Sequence, residues 1–472
     1  MSDPNTSIDI ATPYDDLIPC VDEPSARFYV DTIRVYLGLC SGTLGLEEAI
    51  RIVESLKENP EFVKHPTDPT VLPVNETVKE QLIEHLKTLS KYNTYNADSL
   101  RSAYRLAFVD SPASPSPLDL QVLRYLVHHP TAPLVTASRD LGLGPKTVHR
   151  AIQRLQTRNG IRFSSLLDNS AFGLESTVLF FQRRSDIPSP VIESGFAEFP
   201  FTRSMAITAT SELGYVSLLY PMTAEGTSIL RRSIRSLTGP VFKSACLHSR
   251  IANGMQVSMD LYDNGTWVRP VAFRDQLVGA VDSDVLESLL LMEPSGPQRR
   301  LTKMDFIIAS QFVMDARISP ASVVQRLRSR GIRVDTEHVS QTIRRLKKRR
   351  IVIPFVALNG MGLDASFCFE IVCNRDWVNH ILAATRFIPQ SYYHVSEKGI
   401  LLWIHIPSAH QKDYYQALRS LEDMDHVDSV SALLSMYPAS SRSILDSTKS
   451  WSSGPRGWYV EPDALDLTKY LL

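Results

Sequence analysis

Residues 134–162 read LVTASRDLGLGPKTVHRAIQRLQTRNGIR, and this stretch predicts two short helices that share one apolar side. Apolar residues recur at helical spacing around a glycine-containing corner, with Leu141 before it and Val148, Ile152 and Leu155 after it. Two helices joined by such a corner form a helix-turn-helix. We therefore take this motif as the element around which the rest of the chain is arranged.

The second helix of the motif leaves a face rich in hydrogen-bond donors pointing outward. The side chains on this face are Lys146, Thr147, His149, Arg150, Gln153 and Arg154. Such side chains reach phosphates and base edges in the major groove of double-stranded DNA. A surface helix with an ordinary polar face is the alternative explanation. We predict DNA binding, with these six residues as candidates for the contact.

Composition limits the other classes of function. The chain has 472 residues, which suggests roughly three domains, and its 50 Lys and Arg residues balance 51 Asp and Glu residues. Any binding of a polyanion must therefore come from a local basic surface. The five cysteines are odd in number and scattered, as expected for free thiols in a reducing cytoplasm. We expect a cytoplasmic protein without a membrane segment, because no long apolar stretch occurs.

The order of predicted elements divides the chain into nine segments. An arm, a helical domain and a linker are predicted first, at 1–24, 25–108 and 109–117. A winged helix-turn-helix, a ferredoxin-like domain and a connector follow at 118–165, 166–250 and 251–300. The second winged helix-turn-helix, the second ferredoxin-like domain and a loosely attached tail are predicted at 301–355, 356–438 and 439–472.

The two predicted ferredoxin-like domains rest on an internal repeat. Ile152 matches Ile343 and Leu155 matches Leu346 at the same offset, and the sequence GLESTVLFF resembles GLDASFCFEIV. Each half then shows the order strand, helix, strand, strand, helix, strand, which is the split βαβ pattern of a ferredoxin-like sandwich. The predicted fold class is therefore α+β, with a helical domain followed by two repeats.

The second helix-turn-helix is strongly basic. Residues 317–350 contain eleven Lys and Arg residues against two acidic residues. The candidate DNA contacts in this half are His338, Gln341, Arg344, Arg345, Lys347, Lys348, Arg349 and Arg350. Cations also favour the C-terminal end of a helix, so capping of the helix is the alternative explanation. We expect most of these charges to contact phosphates and few to read bases.

Three stretches resemble the Lrp/AsnC family of transcription regulators. They are LDLQVLRYL at 118–126, ASRDLGLGPKTVHRAIQRL at 137–155 and the pair Gly173–Leu174. The resemblance implies a regulator whose ferredoxin-like domains pair and often sense a small molecule, an amino acid or another metabolite. The turns at 209–215 and 395–401 depart from the Gly-Asp type of the family, so its ligand residues are not carried over. Our own hypothesis places an effector in the cleft between the two sandwiches, near Thr210, Ser211 and Ser396. Pairing of two whole chains as a homodimer is a further expectation.

Two other functions remain open. Fused pairs of such units also resemble the siroheme decarboxylases, and HSRIANGMQVSMDL at 248–261 resembles a segment of those enzymes. A protein-interaction scaffold is the other alternative. His248 and His405 stand alone on predicted strands, and the His and Cys residues lack the spacing of a zinc site. We therefore predict a regulator without catalytic residues, metal or cofactor, and not an enzyme.

Overall fold

The computed structural model describes residues 10–472 apart from 22, 57–75, 110–114, 209–210, 270–272, 280, 282, 435, 442–447, 449–450 and 455–456. The chain divides into two units. Unit 1 comprises Met1–Ala113 with Thr157–Asn159, and unit 2 comprises Ser114–Gln156 with Gly160–Leu472. Among the residues described, no helix is both long and apolar enough to cross a bilayer.

Unit 1 is helical where it is described. Its helices are α1 (Pro24–Ser41), α2 (Leu46–Leu56), α3 (Glu76–Lys91) and α4 (Ala97–Val109). Pro24 lies in the first turn of α1, where a backbone N–H has no helical partner. Gly42 ends α1 with a φ of 73°, and its N–H donates to the Leu39 carbonyl. Buried side chains from α1, α3 and α4, including Tyr36 and Tyr104, form the core.

Unit 2 begins with a helix-turn-helix that we call head 1. Its helices are α5 (Pro117–His128), α6 (Leu134–Leu141) and α7 (Pro145–Arg158). The Ser116 side chain caps α5 by accepting a hydrogen bond from the Asp119 N–H. Gly142 ends α6 with a φ of 67°, a left-handed conformation that favours glycine. Val148 and Leu155 of α7 are fully buried against α5 and α6, as the apolar spacing predicted.

The first sandwich follows head 1. Strand β1 (Ile161–Leu167) leads into β2 (Leu174–Arg183), α8 (Ser189–Glu198), β3 (Thr202–Thr208), β4 (Leu213–Pro221), α9 (Ala224–Leu237) and β5 (Phe242–Ser249). The next segment contains β6 (Ala252–Val257), β7 (Tyr262–Asp263), β8 (Thr266–Trp267), α10 (Phe273–Val278), α11 (Ser283–Ser288) and β9 (Leu290–Met292).

The second half of unit 2 repeats this order. Head 2 consists of α12 (Lys303–Met314), α13 (Pro320–Ser329) and α14 (Thr336–Lys348). The second sandwich contains β10 (Val352–Leu358), β11 (Ala365–Cys373), α15 (Arg375–Ala384), β12 (Gln390–Ser396), β13 (Gly399–Ile406), α16 (Gln411–Arg419) and β14 (Val427–Leu433). The chain ends with β15 (Met436–Ser441), β16 (Ser452–Gly454), β17 (Gly457–Tyr459) and α17 (Thr468–Leu471). The α+β fold class predicted from the sequence is confirmed.

The two heads share one two-stranded sheet. Strand β1 pairs antiparallel with β10 over seven residues each, from Ile161 opposite Leu358 to Leu167 opposite Val352. The sequence predicted a separate wing for each head. A single strand leaves its backbone N–H and C=O groups without partners, and the strand of the other head provides them here.

The two sandwiches exchange one strand in each direction. The first sheet has the order β15-β3-β4-β2-β5, and the second has the order β14-β11-β13-β12-β6-β9. Strand β6 follows β5 in the chain but pairs with β12 of the second sheet. Strand β15 follows β14 but pairs with β3 of the first sheet. The segment predicted as an irregular connector thus contributes β6 and β9 to the second sheet.

The C-terminal segment also differs from the prediction of a loosely attached tail. Trp451, Leu465 and Leu471 are buried in the core of the first sandwich. Addition of a Cβ at Gly195 of α8 would place it 2.4 Å from the Leu471 side chain, which shows how closely α17 packs there. Burial of these apolar side chains holds the segment in place, at about 1.5 to 3 kcal/mol for each fully buried large side chain.

The two sheets face each other through a small apolar cluster. Val178 and Phe180 of β2 pack there with Cys368 and Leu401 of the second sheet. The rings of Tyr215 and Trp403 meet edge to face at a centroid distance of 5.4 Å. This interface lies beside the polar residues described next.

Candidate functional site

The polar face of α7 in head 1 is accessible, with one exception. Lys146, His149, Arg150 and Gln153 are exposed, and Thr147 is half-buried. Arg154 instead forms a two-pronged ion pair with the buried Asp119 of α5, with nitrogen–oxygen distances of 2.6 and 3.1 Å. Its guanidinium is therefore engaged within head 1, although the sequence assigned it to DNA.

Head 2 shows the same arrangement. Among the residues predicted to contact DNA, the exposed ones are His338, Gln341, Arg344, Lys348, Arg349 and Arg350. Arg345 pairs with the buried Asp305 of α12, which also accepts a hydrogen bond from Thr342. Lys347 lies half-buried over the Phe312 ring, and burial lowers the pKa of its ammonium. Arg345 and Lys347 therefore depart from the exposed placement that the sequence predicted.

Two of the three predicted effector residues, Ser211 and Ser396, lie in the part of the chain that the structure describes. Thr210 lies outside the described residues. Ser211 lies in the turn between β3 and β4, where its hydroxyl accepts a hydrogen bond from the Leu213 N–H. Ser396 ends β12 and lies against β5 of the first sandwich. Ser396 therefore leads to a site between the sandwiches.

Ser396, His248 and Glu370 form a hydrogen-bonded chain across the interface between the sheets. His248 Nδ1 lies 2.8 Å from Ser396 Oγ, and His248 Nε2 lies 2.7 Å from Glu370 Oε1. His248 comes from β5 of the first sandwich, whereas the other two residues come from β12 and β11 of the second. All three side chains are buried. Such a chain can pass a proton between a surface group and a buried carboxylate.

Two further side chains, Cys246 and His394, lie beside these three hydrogen-bonded residues. Cys246 lies two residues before His248, on the same face of β5, with its Sγ near both His248 and Glu370. Burial, and then the Glu370 carboxylate, raise the pKa of the Cys246 thiol to about 11. The His394 ring is hydrogen-bonded to the His248 carbonyl at 3.0 Å, and burial lowers its pKa to about 3. Cys246 and His394 are therefore uncharged at neutral pH.

Strand pairing identifies the internal counterparts of these residues. Val178 of β2 pairs with His248, and Cys368, which occupies the matching place in β11, pairs with Leu433. The same registers make Phe180 the counterpart of Glu370. Leu433 and Phe180 are apolar. The fold therefore forms this interface without a His–Glu pair in one of its two halves, so the polar pair is not a requirement of the fold.

Cys246 and Ser396 also have counterparts in the other half of unit 2. The register of β5 and β14 against their neighbours matches Cys246 with Ser431. The hairpins β3–β4 and β12–β13 match Thr208 with Ser396. The Thr208 hydroxyl donates to the Leu434 carbonyl at 2.6 Å. The hydroxyl in the first half is thus bound to backbone, whereas Ser396 is bound to a histidine.

A cavity of about 390 Å³ opens beside Ser396 and Cys246. A volume of this size lies in the usual range of small-molecule sites, about 300 to 1,000 Å³. The charged residues that line it are Arg231, Arg235, Glu397 and Lys398. Three cations and one carboxylate make this cavity suited to an anionic ligand. Ser396 connects the cavity to His248 and Glu370, which are not exposed in it.

The sequence analysis missed His248 and Glu370. It treated His248 as isolated, because Glu370 and Ser396 lie 122 and 148 residues further along the chain. One local signal was present: in CLHS, Cys246 and His248 alternate on a strand and therefore share a face. His405, the other histidine considered isolated, contacts the Tyr392 ring edge to face.

Comparison with known proteins gives two structural matches. No protein-family profile matches the chain, and no curated protein sequence matches it. The crystal structure of the siroheme decarboxylase NirDL is 12% identical, with a TM-score of 0.41, and covers 75% of this chain and 98% of its own. The same enzyme in co-complex with an iron-uroporphyrin III analogue is 12% identical, with a TM-score of 0.40, and covers 74% and 97%.

These values describe a likeness of fold. Both matched structures are of an enzyme, which contradicts the prediction that this chain is not one. At 12% identity and with TM-scores of 0.41 and 0.40, these matches do not decide between the regulator and the decarboxylase-like alternative of the sequence analysis. Neither match concerns a DNA-binding regulator, so the expected DNA contacts stay predictions.

Proposed function

We propose that the chain is an enzyme that binds a carboxylate-rich substrate in the cavity beside Ser396 and transfers a proton there. The observation that carries this proposal is the buried chain Ser396–His248–Glu370, which is present at one of two equivalent positions of the fold. Burial of a histidine and a glutamate is unfavourable unless each is paired. A fold that can place Leu433 and Phe180 at the other position has no structural need for this pair.

The cavity binds the substrate, and the hydrogen-bonded residues Ser396, His248 and Glu370 supply the proton. Arg231, Arg235 and Lys398 on the cavity wall attract carboxylates, and Arg side chains hold them through two parallel hydrogen bonds. Ser396 also lines this cavity. Its hydroxyl passes a proton between the cavity and His248, while the hydrogen bond to Glu370 fixes the orientation of the imidazole.

Decarboxylation is the reaction to test first. Loss of CO₂ from a carboxylate leaves an electron pair on the substrate, and that carbon must then receive a proton. The proton would come from His248 through Ser396, and solvent would restore it. Siroheme, the substrate in the name of the two matched structures, carries several carboxylates and is therefore the first compound to test.

The experiment is turnover of siroheme by the purified full-length chain, with loss of CO₂ followed by mass spectrometry. We expect product with the wild type and a raised KM in Arg235→Ala, because Arg235 contributes binding and no proton. Arg232→Ala is the matched control, since Arg232 lies on the same helix outside the cavity lining. Absence of product from siroheme and from other polycarboxylates would contradict the proposal.

A second candidate function is DNA binding by the heads. The exposed residues Lys146, His149 and Arg150 of α7, with Lys348 and Arg350 at the end of head 2, favour it. These cations would release counterions from phosphates on binding.

Replacement of Arg150 by Ala tests whether head 1 reads bases. We expect a loss of about 1 to 3 kcal/mol in DNA affinity and a relaxed preference at one base position. Selection of bound fragments from a genomic library, followed by sequencing, measures both. An equal loss of affinity for all sequences would contradict base contact, and no binding at physiological salt would exclude this candidate.

A further inference from the structure

Three side chains of the candidate site have the spacing of metal ligands. Cys246 Sγ, a ring nitrogen of His248 and a carboxylate oxygen of Glu370 all lie within 4.8 Å of one another. Within the part of the chain that the structure describes, this is the one such group of three or more His, Cys, Asp or Glu residues. We propose that this cluster binds a divalent transition-metal ion of the zinc type. The inference goes beyond the proposed function, because it assigns a metal ion to residues that the proposed function uses for proton transfer.

The chemistry of the three side chains suits zinc. Zinc accepts thiolate sulfur, imidazole nitrogen and carboxylate oxygen, at about 2.0 to 2.3 Å, and sites with three protein ligands keep one position open. Tetrahedral geometry at these lengths separates the ligand atoms by about 3.3 to 3.7 Å. The distance between His248 Nε2 and Glu370 Oε1 is 2.7 Å. Small side-chain rotations that open this pair and close on Cys246 would therefore form the site.

The second nitrogen of His248 already has the partner that a metal-bound histidine requires. A histidine that binds metal through one nitrogen usually donates the N–H of the other to an oxygen. Ser396 Oγ lies 2.8 Å from His248 Nδ1, and the same hydroxyl can donate to the Gly399 carbonyl at 3.4 Å. This leaves a lone pair of Ser396 for the histidine and the Nε2 lone pair of His248 for the metal.

The charges of the site also balance. A Cys246 thiolate and the Glu370 carboxylate would together neutralise a divalent cation among buried groups. Cysteine binds a metal ion as the thiolate, so metal binding would release a proton from Cys246. The counterparts Ser431, Leu433 and Phe180 cannot form such a site.

Metal and proton transfer exclude each other at this cluster. Both use His248 Nε2 and Glu370 Oε1, so a bound ion replaces the proton that these two atoms share. The metal-loaded chain should therefore lose the activity proposed above, and removal of the metal by a chelator should restore it.

Titration of the chelator-treated full-length chain with Co²⁺ tests the site without any substrate. We expect one equivalent to bind with a near-ultraviolet charge-transfer band from the Cys246 thiolate, and Zn²⁺ to displace it. Cys246→Ser should abolish the band and weaken binding at least about 100-fold, since even loss of an outer-shell partner can cost that much. Cys373→Ser, at another buried cysteine in the second sandwich, is the matched control and should retain the band.

Two outcomes would overturn the inference: no band in the wild type at saturating Co²⁺, or an unchanged band in Cys246→Ser. If Cys246→Ser does not fold, as judged by circular dichroism, Glu370→Gln keeps the side-chain shape and should still weaken Co²⁺ binding at least tenfold. A chain that turns over substrate but takes up no Co²⁺ would leave the proposed function standing. A chain that binds Co²⁺ but turns over no substrate would support the metal site and contradict the proposed function.

Discussion

At the scale of single residues, His248 shows why the site could not be predicted from the sequence. Its two hydrogen-bond partners come from β11 and β12, more than a hundred residues further along the chain. Residue patterns report which side chains share one strand, as with Cys246 and His248, but not which strand of another sheet lies opposite. The prediction of Ser396 as a ligand residue came from a hypothesis about the cleft between the two sandwiches and concerned an effector.

His394 gives a pH-dependent prediction for stability. Burial lowers its pKa from the ordinary value of 6.5 to about 3. The folded state therefore binds one proton fewer than the unfolded state between these values. The contribution of His394 to the stability of the folded state is therefore complete above pH 6.5, and it is lost as the pH falls towards 3. We expect the free energy of unfolding to fall by up to about 1.4 kcal/mol per pH unit from this residue.

Urea unfolding at pH 7 and pH 5 measures this effect. His394→Gln should reduce the difference between the two pH values, because the amide does not titrate. His128→Gln, at a histidine near the end of α5 in head 1, serves as the control. Equal pH dependence in the wild type and His394→Gln would show that His394 does not carry the effect.

At the scale of elements, the two heads illustrate what periodicity can and cannot tell. Spacing located the helices of head 1 and their buried seam, because apolar residues at intervals of three and four lie on one face. It did not separate the arginines that bind carboxylates of their own head from those that face solvent. Arg154 and Arg345 bind Asp119 and Asp305, which lie 35 and 40 residues earlier in the chain.

Arg154→Ala should therefore act on stability. Its removal leaves Asp119 buried without its cation, and we expect a loss of about 1 to 3 kcal/mol in the free energy of unfolding. Arg150→Ala, on the exposed side of the same helix, should change stability by about 0.5 kcal/mol or less. Chemical denaturation of both variants measures this. Equal effects of the two substitutions would contradict the structural role of Arg154.

Strand β6 offers a second test at this scale. A Cβ added at Gly254 would lie 2.0 Å from the Leu290 carbonyl oxygen and 2.4 Å from the Tyr393 ring. Gly254→Ala should therefore destabilise the chain by about 2 to 3 kcal/mol, the upper part of the range for overpacking. Gly144→Ala is the control, because its nearest neighbour is the Thr147 hydroxyl at 3.6 Å. Thermal unfolding with little difference between these variants would argue against the pairing of β6 with β12 and β9.

At the scale of the whole molecule, the internal repeat predicted two similar halves but not the exchange of β6 and β15 between them. Each strand completes the sheet of the other half, and such long-range pairing depends on which sheet edge is free rather than on local propensity. The exchange places β5 against the second sheet. It thereby brings His248 of one half to Ser396 and Glu370 of the other.

The exchange also predicts that both sandwiches unfold together. Strand β3 loses its partner β15 when the second half opens, and β12 loses its partner β6 when the first half opens. Amides of β3 and β12 should therefore exchange hydrogen with the same opening free energy and the same dependence on urea. Hydrogen exchange followed by mass spectrometry measures both strands at once. Clearly separate transitions would show that the halves are independent.

The difference between the two halves of unit 2 allows the most direct test of the catalytic site. Ser396→Ala and Thr208→Ala remove equivalent hydroxyl groups, one bound to His248 and the other to the Leu434 carbonyl. The measurement is kcat of both variants on the substrate that the wild-type chain turns over. We predict that Ser396→Ala lowers kcat by about 10² to 10⁴, as for loss of a general acid or base, while Thr208→Ala leaves it within a few-fold of the wild type. Equal kcat in the two variants would contradict the assignment of the site to Ser396, His248 and Glu370.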